Sequence, residues 1–417
     1  MNVLLIGGGG REHALGWKLV QDPSVTLTSL PGNPGLASLG GVVEGISSTD
    51  TGAVAAMAAD RSFDLVVVGP EAPLAAGLVD ALDRVRVPAF GPTRAAAHLE
   101  ASKAFAKDIM RDAGVPTAGW ATFDDRDAAI AHLGKSSGPY VVKADGLAAG
   151  KGVLVTDDLE AAKNWAHTCL DGAFGEAGAQ IVIEEFLDGP ELSVFAVCDG
   201  TEAVPLAPAR DYKRAYDGDV GPNTGGMGSY SPVPDLPTGI VAYTMDHVVG
   251  PVLSAMAERG TPYRGFLYTG FVLTRDGPRV LEFNCRLGDP ETQAVLPRLD
   301  GPLVELLTAA VDGGLADVMP RWLDTSTVNV VMAAEGYPES PRTGDAIRGS
   351  LDPETDSIVF QAGTRTTSGG LVTAGGRILN VVGTGPDLPS ARKNAYDRVA
   401  TISWPGAQYR TDIAGVS

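Results

Sequence analysis

The chain has 417 residues, 51 acidic against 32 basic, for a formal charge of −19, with 44% hydrophobic side chains. That length suits about three domains, each with its own core, and 53 glycines with 29 prolines are too many for a helical bundle but natural for an α/β protein with many tight turns. The acidic balance disfavours nucleic-acid and anionic-membrane partners, whose phosphates bind clustered Lys and Arg.

Residues 1–101 read as repeated βα units, with an apolar strand at 3–6, a helix from Arg11, and strands at 25–30 and 65–68. Short strands alternating with helices predict a doubly wound parallel sheet. A helix over 102–113 stops at Gly114-Val115-Pro116. Strands at 140–143, 153–155, 180–186 and 192–197, with a helix near 159–170, then predict an antiparallel α+β region. Strands at 266–273 and 280–284 lead into a helix after Pro302. Strands near 328–333, 358–361 and 378–382 and a helix over 391–401 complete the chain. The expected fold class is α/β and α+β multidomain, divided at 1–101, 102–325 and 326–417, with a lid subdomain at about 118–190 and a mixed α/β C-terminal domain.

The longest charge-free stretch, 23–43, is broken by Pro31-Gly32-Asn33-Pro34-Gly35 and Gly40-Gly41, so no spanning helix is expected there. The start carries no basic n-region, and a cytoplasmic location is expected. Cys169, Cys198 and Cys285 are scattered and in no CxxC spacing, which reads as reduced, buried thiols. His13, His98, His132, His167 and His247 show no paired spacing and read as structural or exposed.

Seven of nine lysines fall between 103 and 213. Lys107, Lys135 and Lys163 read as solvated helix faces, whereas Lys103, Lys143 and Lys151 stand apart. Gly7-Gly8-Gly9-Gly10 follows a strand and opens a helix, offering N–H groups and the positive helix end to an anion. Glu12 or His13 stands where a dinucleotide fingerprint needs its third glycine, so no nicotinamide cofactor is expected. The alternative is a turn required only for close strand–helix packing. Gly146-Leu147-Ala148-Ala149-Gly150-Lys151-Gly152 departs from the Walker pattern, because Gly152 replaces Ser or Thr and the spacing is short by one. Lying between strands, it is either a plain hairpin turn or a flap that covers a triphosphate, with Lys151 at the outer phosphates.

Lys143 ends a strand just before that turn, within reach of phosphates beneath it. Glu184-Glu185-Phe186-Leu187 closes an apolar strand whose backbone groups suit a purine edge, with Glu191 placed for ribose hydroxyls. In Glu282-Phe283-Asn284, positions two apart share a face, so a carboxylate and an amide oxygen converge on one cation. Hard oxygen donors of this kind suit Mg²⁺. Phe283 and Cys285 then face the core, which removes Cys285 as a nucleophile.

With these residues in this order, the chain resembles the glycinamide ribonucleotide synthetase family of the ATP-grasp superfamily. The matching motifs are GGGGREHAL from Gly7, PGNPG from Pro31, VGPEAPL from Val68, FGPT from Phe90, SKAF from Ser102, KADGLAAGKGV from Lys143, IEEFLDGPE from Ile183, GPNTGGMGSYSP from Gly221 and EFNCRLGDPETQ from Glu282. Gly8 stands where the family usually has Asn, Leu287 where Phe is usual, and Arg210-Asp211-Tyr212-Lys213-Arg214 where Gln-Asp-His-Lys-Arg is common.

The resemblance implies an N-terminal substrate domain, a central ATP-grasp fold, and ligation of glycine to 5-phosphoribosylamine through a glycyl phosphate, giving glycinamide ribonucleotide, ADP and phosphate. ATP would be held by Lys103, Lys143, Gly150, Lys151, Gly152, Glu184, Glu185, Phe186, Leu187 and Glu191, and Mg²⁺ or Mn²⁺ by Glu282 and Asn284. Gly9, Gly10, Glu12 and Glu71 would line the phosphoribosylamine pocket, Asp289 would also touch substrate, and Asp211 would take the glycine ammonium. Arg286, with Lys143 and Lys151, would stabilise the reacting groups, unless Arg286 is half of a surface ion pair. The strand 266–273 carries no acid, so a second metal would rely either on Glu282 and phosphate oxygens or on an acid from elsewhere, such as Asp289 or Glu291. A monomer acting on small molecules, without nucleic acid or membrane, is expected. Another ATP-grasp enzyme, such as a biotin carboxylase or carboxyaminoimidazole ribonucleotide synthetase, shares the nucleotide half, but RLGDPETQ from Arg286 and the GPNTGGMG loop argue against it. A nucleotide-binding regulatory module would not need Glu282, Asn284, Lys143 and Lys151 together.

Overall fold

The computed structural model describes residues 1–148 and 151–415. Its N-terminal sheet is parallel throughout, in the spatial order Gly41–Val42, Thr26–Pro31, Asn2–Gly7, Leu65–Val68, Ala89–Phe90. The central strands are nearly unbroken apolar runs because helices cover both faces: Val3 to Ile6 and Leu65 to Val68 are all at most 2% exposed. Each such aliphatic side chain contributes about 1.5–3 kcal/mol by leaving water.

The middle of the chain is antiparallel, as its short strands separated by turns predict. Glu191–Asp199 pairs with Arg264–Thr274, which pairs with Gly277–Asn284. A separate four-stranded sheet, in the order Trp120–Phe123, Ile181–Glu185, Tyr140–Ala144, Val153–Thr156, forms the lid. Helices Arg126–Leu133 and Leu159–Thr168 give it a small core of its own, including Leu133, Val142, Ala162, Cys169, Ile181 and Ile183.

The last sheet draws on two parts of the chain. Arg210–Asp211 pairs with Gly228–Ser231, which pairs with Ser326–Ala333, and the sheet continues to Arg377–Gly385 and Ser357–Gln361. Two strands from the middle of the sequence are thus built into a sheet completed after residue 325, so the C-terminal layer is tied directly to the centre. The helical run Ile240–Glu258 is long and apolar enough by length and composition to cross a membrane. In the fold, Ile240, Val248, Val249, Val252, Leu253 and Met256 are packed into the main core.

Candidate active site

The strand Gly277–Asn284 ends with Glu282 opposite Gly270 and Asn284 opposite Tyr268, and a bulge at Leu281 resets the register just before them. Phe283 and Cys285 are 3% and 2% exposed within the core, while Glu282 and Asn284 lie partly exposed on the other face. A side chain at Gly270 would stand 3.4 Å from the Glu282 stem and 3.1 Å from the Tyr268 ring, so glycine there keeps the space before the carboxylate open. Burial, together with the Glu100 carboxylate, pushes the Cys285 thiol well above its ordinary range, which makes it inert. Among the described residues, no three His, Cys, Asp or Glu side chains gather to hold a metal. The site offers two hard oxygens on one face, a donor set that fits a divalent cation sharing the rest of its shell with phosphate and water.

Facing this strand are the lysines. Lys143, on the central lid strand, donates to Glu184 Oε2 at 3.0 Å, and Lys107 lies 3.3 Å from the same oxygen. Lys107 is not on a solvated face: it is 2% exposed and also donates to Thr117 Oγ1 at 2.8 Å. The reason is geometric. Lys107 lies one turn beyond Lys103 on the helix Lys103–Asp112, whose neighbouring Ala106, Ile109 and Met110 are buried, and Glu184 on its strand needs a counter-charge. Lys135 is exposed and Lys163 pairs with Glu160 on the surface, as read from sequence. Lys103 donates to the carbonyls of Asp145 and Gly146 at 3.2 and 3.1 Å, directly beneath the start of the glycine turn.

Burial lowers the Lys103 pKa, and the Glu282 carboxylate is the foremost charge opposing that shift. Burial also lowers Lys107, against Glu184 chiefly and Glu282 as well. The strand that bears Glu282 and the lysines therefore share one electrostatic environment. Glu184, despite its burial, stays below the usual carboxylate range because Lys143 and Lys107 outweigh the desolvation. Lys151 is exposed and makes no ion pair or side-chain hydrogen bond among the described residues; Gly152 is buried, and Gly150 lies outside the described residues. Glu185 and Phe186 are exposed and Leu187 is partly so where this interior strand ends, leaving its end open.

The other wall comes from the N-terminal sheet. Arg286 is no surface ion pair: its side chain is 18% exposed, and it donates to Glu100 at 2.8 Å, Glu71 at 3.3 Å and Asn284 Oδ1 at 3.3 Å. The second Glu100 oxygen accepts the Cys285 N–H at 2.8 Å. Glu71 also lies 3.8 Å from Arg11. Glu12 is 2% exposed and already engaged, accepting from the Gly9 N–H at 2.7 Å and from Arg11 Nε at 2.6 Å. It caps its own helix, Gly10–Leu19, so the anion at this helix end is a carboxylate of the chain. Asp289 is brought beside this loop, its carboxylate 3.8 Å from where a Gly9 side chain would begin, and is held by Arg377 at 3.2 Å and Gln293 at 2.9 Å. Gly10 packs under Gln293 and Asn380 of the C-terminal half.

Asp211 and Glu191 are joined by one cation: Lys213 Nζ lies 2.9 and 3.0 Å from their carboxylates. Beside them the buried Glu291 accepts from Ser193 Oγ at 3.2 Å, which bonds the Tyr268 hydroxyl at 2.9 Å. Burial, reinforced by Asp211, raises the Glu291 pKa. Lys107, Glu100 and Arg377 escaped the sequence reading. The signals for two of them were present: Lys107 repeats Lys103 at i+4, and Glu100 is the sole acid in the helix Arg94–Ala101.

A lid with its own core, lysines at its base and an oxygen-bearing strand opposite define an ATP-grasp enzyme, which works with ATP and a divalent metal ion. Residues 101–292 match the model of the phosphoribosylglycinamide synthetase ATP-grasp (A) domain, residues 1–100 its N domain and residues 327–415 its C domain. The chain belongs to the phosphoribosylglycinamide synthetase family. It is 51% identical to a phosphoribosylamine–glycine ligase of Streptomyces coelicolor over 99% of both chains, and 48% identical to one of Caulobacter vibrioides over 99% of this chain and 97% of that one. The crystal structure of a phosphoribosylamine–glycine ligase from Thermotoga maritima superposes with a TM-score of 0.85 at 36% identity, covering 99% of this chain and 100% of the other. A biotin carboxylase from Campylobacter jejuni reaches a TM-score of 0.77 at only 14% identity, with 99% and 94% coverage, and shares the fold alone.

Proposed function

We propose that the chain joins glycine to 5-phosphoribosylamine with cleavage of ATP to ADP and phosphate, forming glycinamide ribonucleotide for purine biosynthesis through a glycyl phosphate. The observation that carries this reading is the meeting of Glu282 and Asn284 with buried lysines on one side and Arg286, paired to Glu71 of the N-terminal domain, on the other. Mg²⁺ or Mn²⁺ bound by Glu282 and Asn284 would supply charge neutralisation at the transferring phosphoryl group.

Lys103, Lys143 and Lys151, with the backbone of Gly150 and Gly152, hold the polyphosphate. The exposed end of the strand, at Glu185 to Leu187 just past Glu184, takes the purine, and Glu191 takes the ribose. A glycine carboxylate oxygen attacks the γ-phosphorus and ADP departs; hydroxide could not leave from the free acid, which is why activation comes first. Asp211 receives the glycine ammonium, and Arg286 stabilises charge on the acyl phosphate. The phosphoribosylamine nitrogen then attacks the acyl carbon, losing a proton as phosphate leaves. Gly9, Gly10, Glu71 and Asp289 line its pocket, with Glu12 holding the loop in shape. The chemistry needs alignment and exclusion of water rather than a protein nucleophile. We further infer a monomer acting on small molecules in the cytoplasm; the free, buried Cys169, Cys198 and Cys285 suit a reducing compartment.

Phosphate release measured with and without glycine and phosphoribosylamine tests the reading. Glu282→Gln is expected to lower turnover by about 10³-fold with the fold retained. Unaltered turnover removes Glu282 from the metal site, and wild-type turnover with bicarbonate in place of glycine favours a carboxylase.

A further inference from the structure

One buried oxygen, Glu184 Oε2, receives two ammonium groups, Lys143 at 3.0 Å and Lys107 at 3.3 Å. The side chains of Glu184, Lys107 and Lys143 are 2%, 2% and 7% exposed, so water contributes little to balancing them. The triad carries one positive charge in excess, where a single pair would be neutral. Lys107 has a second anchor in Thr117, whose hydroxyl donates to Val280 O at 2.6 Å on the strand that bears Glu282 and Asn284. Lys143 makes no other side-chain hydrogen bond among the described residues.

We propose that Lys107 is a positioning residue that serves as the standing counter-ion of Glu184, so that Lys143 is free to leave that carboxylate for the nucleotide phosphates. This rests on the reading of Lys143 as a phosphate ligand. With one lysine alone, drawing Lys143 toward phosphate would strand a buried carboxylate, which is among the costliest arrangements in a protein interior. With two, the exchange leaves Glu184 paired throughout. The Thr117 hydroxyl keeps the remaining cation in place and ties it to the metal strand.

Lys107→Met is expected to raise the Kd and KM for ATP about 30-fold, because Lys143 is then held on Glu184. The kcat at saturating ATP and the KM for glycine should stay within about threefold, and Lys107→Arg should restore ATP affinity. Adding Glu184→Gln to Lys107→Met removes the charge that detains Lys143, and should bind ATP more tightly than Lys107→Met alone. A purely structural Lys107 would instead lower thermal stability and leave ATP Kd within twofold, which overturns the inference, as does a double variant no tighter than the single one. Should Lys107→Met fail to fold, a crystal structure of the wild-type protein with ADP or ATP decides: Lys143 Nζ on phosphate with Lys107 still on Glu184 upholds the exchange, and Lys143 still on Glu184 sinks it. Absence of glycine-dependent phosphate release by the wild type would instead defeat the ligase reading, while the binding measurements still judge Lys107.

Discussion

The glycine turn at Gly7 to Gly10 and the one that starts at Gly146 each follow a buried strand, and on paper each looks like a cradle for phosphate. In the first, the space is full. Gly7 has φ +123°, and a Cβ there would stand 2.4 Å from the Glu12 stem. The carboxylate of Glu12 already accepts the Gly9 N–H, and the helix beyond is buried along nearly its whole length. In the second, Leu147 and Lys151 are exposed and the lysines that matter lie beneath the turn on other elements. Glycine serves close packing in both, around the fixed charge of Glu12 in the first region and against Ala177 and Ala148 in the second, where a cation is left at the surface above a charged floor. An anion-binding look in sequence does not separate the two; what fills the helix end does.

The largest expected effect breaks the first region. Gly7→Ala puts a side chain both in a backbone conformation open mainly to glycine and into the Glu12 stem, and is expected to cost about 4 kcal/mol of stability. Chemical denaturation followed by tryptophan fluorescence reads it, since Trp17 lies on the following helix. A loss under about 1 kcal/mol would mean that the loop yields more readily than its packing indicates.

A smaller effect comes from acid. His13 is 7% exposed, its Nδ1 accepts the Gln361 N–H at 2.7 Å, and its ring sits edge-on to Phe360 with centroids 5.4 Å apart. Burial lowers its pKa from 6.5 to about 4. The unfolded chain therefore takes up a proton that the folded chain refuses between those values. The His13 contribution is fully present above pH 6.5, is lost as pH falls through about 4, and amounts to about 3 kcal/mol. Comparing wild type with His13→Gln in urea at pH 7.5, 6, 5 and 4.5 isolates this group. Parallel stability curves for the two proteins would show that His13 does not lock the helix to the C-terminal half.

How far the sequence foretold this depends on the range over which each feature is encoded. The strands read at 3–6, 25–30 and 65–68 and at 140–143, 153–155 and 180–186 lay within a residue or two of their places, because continuous apolar runs are local, whereas the short strands Gly41–Val42 and Ala89–Phe90 and the lid strand Trp120–Phe123 were not foreseen. Glu282 and Asn284 share a face as the two-residue period requires. The strands Arg210–Asp211 and Gly228–Ser231 were not foreseen, since two and four residues carry too little pattern to announce a partner about a hundred residues on. Arg377, 88 residues from the Asp289 it holds, was hidden for the same reason. Lys107 is different: its helix spacing from Lys103 was visible, but composition alone does not show that a facing strand will bury a glutamate.

The same contrast predicts how the second region should respond to losing its exposed cation. The Lys151 side chain makes no hydrogen bond or ion pair among the described residues; its own N–H closes a turn to the Ala148 carbonyl at 2.9 Å, and any residue but proline supplies that bond. Lys151→Met should therefore leave the thermal midpoint within about 1 °C of wild type, as surface substitutions away from packed features do. Its charge matters only when phosphate is beneath the turn, so kcat/KM for ATP should fall about 10–100-fold, with the loss shared between kcat and KM. Equal activity would place the outer phosphates under Lys103 and Lys143 alone and make the turn a cover without a charge to deliver. A large drop in thermal stability would fail in the opposite direction, because it would give the exposed lysine the structural role that Glu12 has in the first loop.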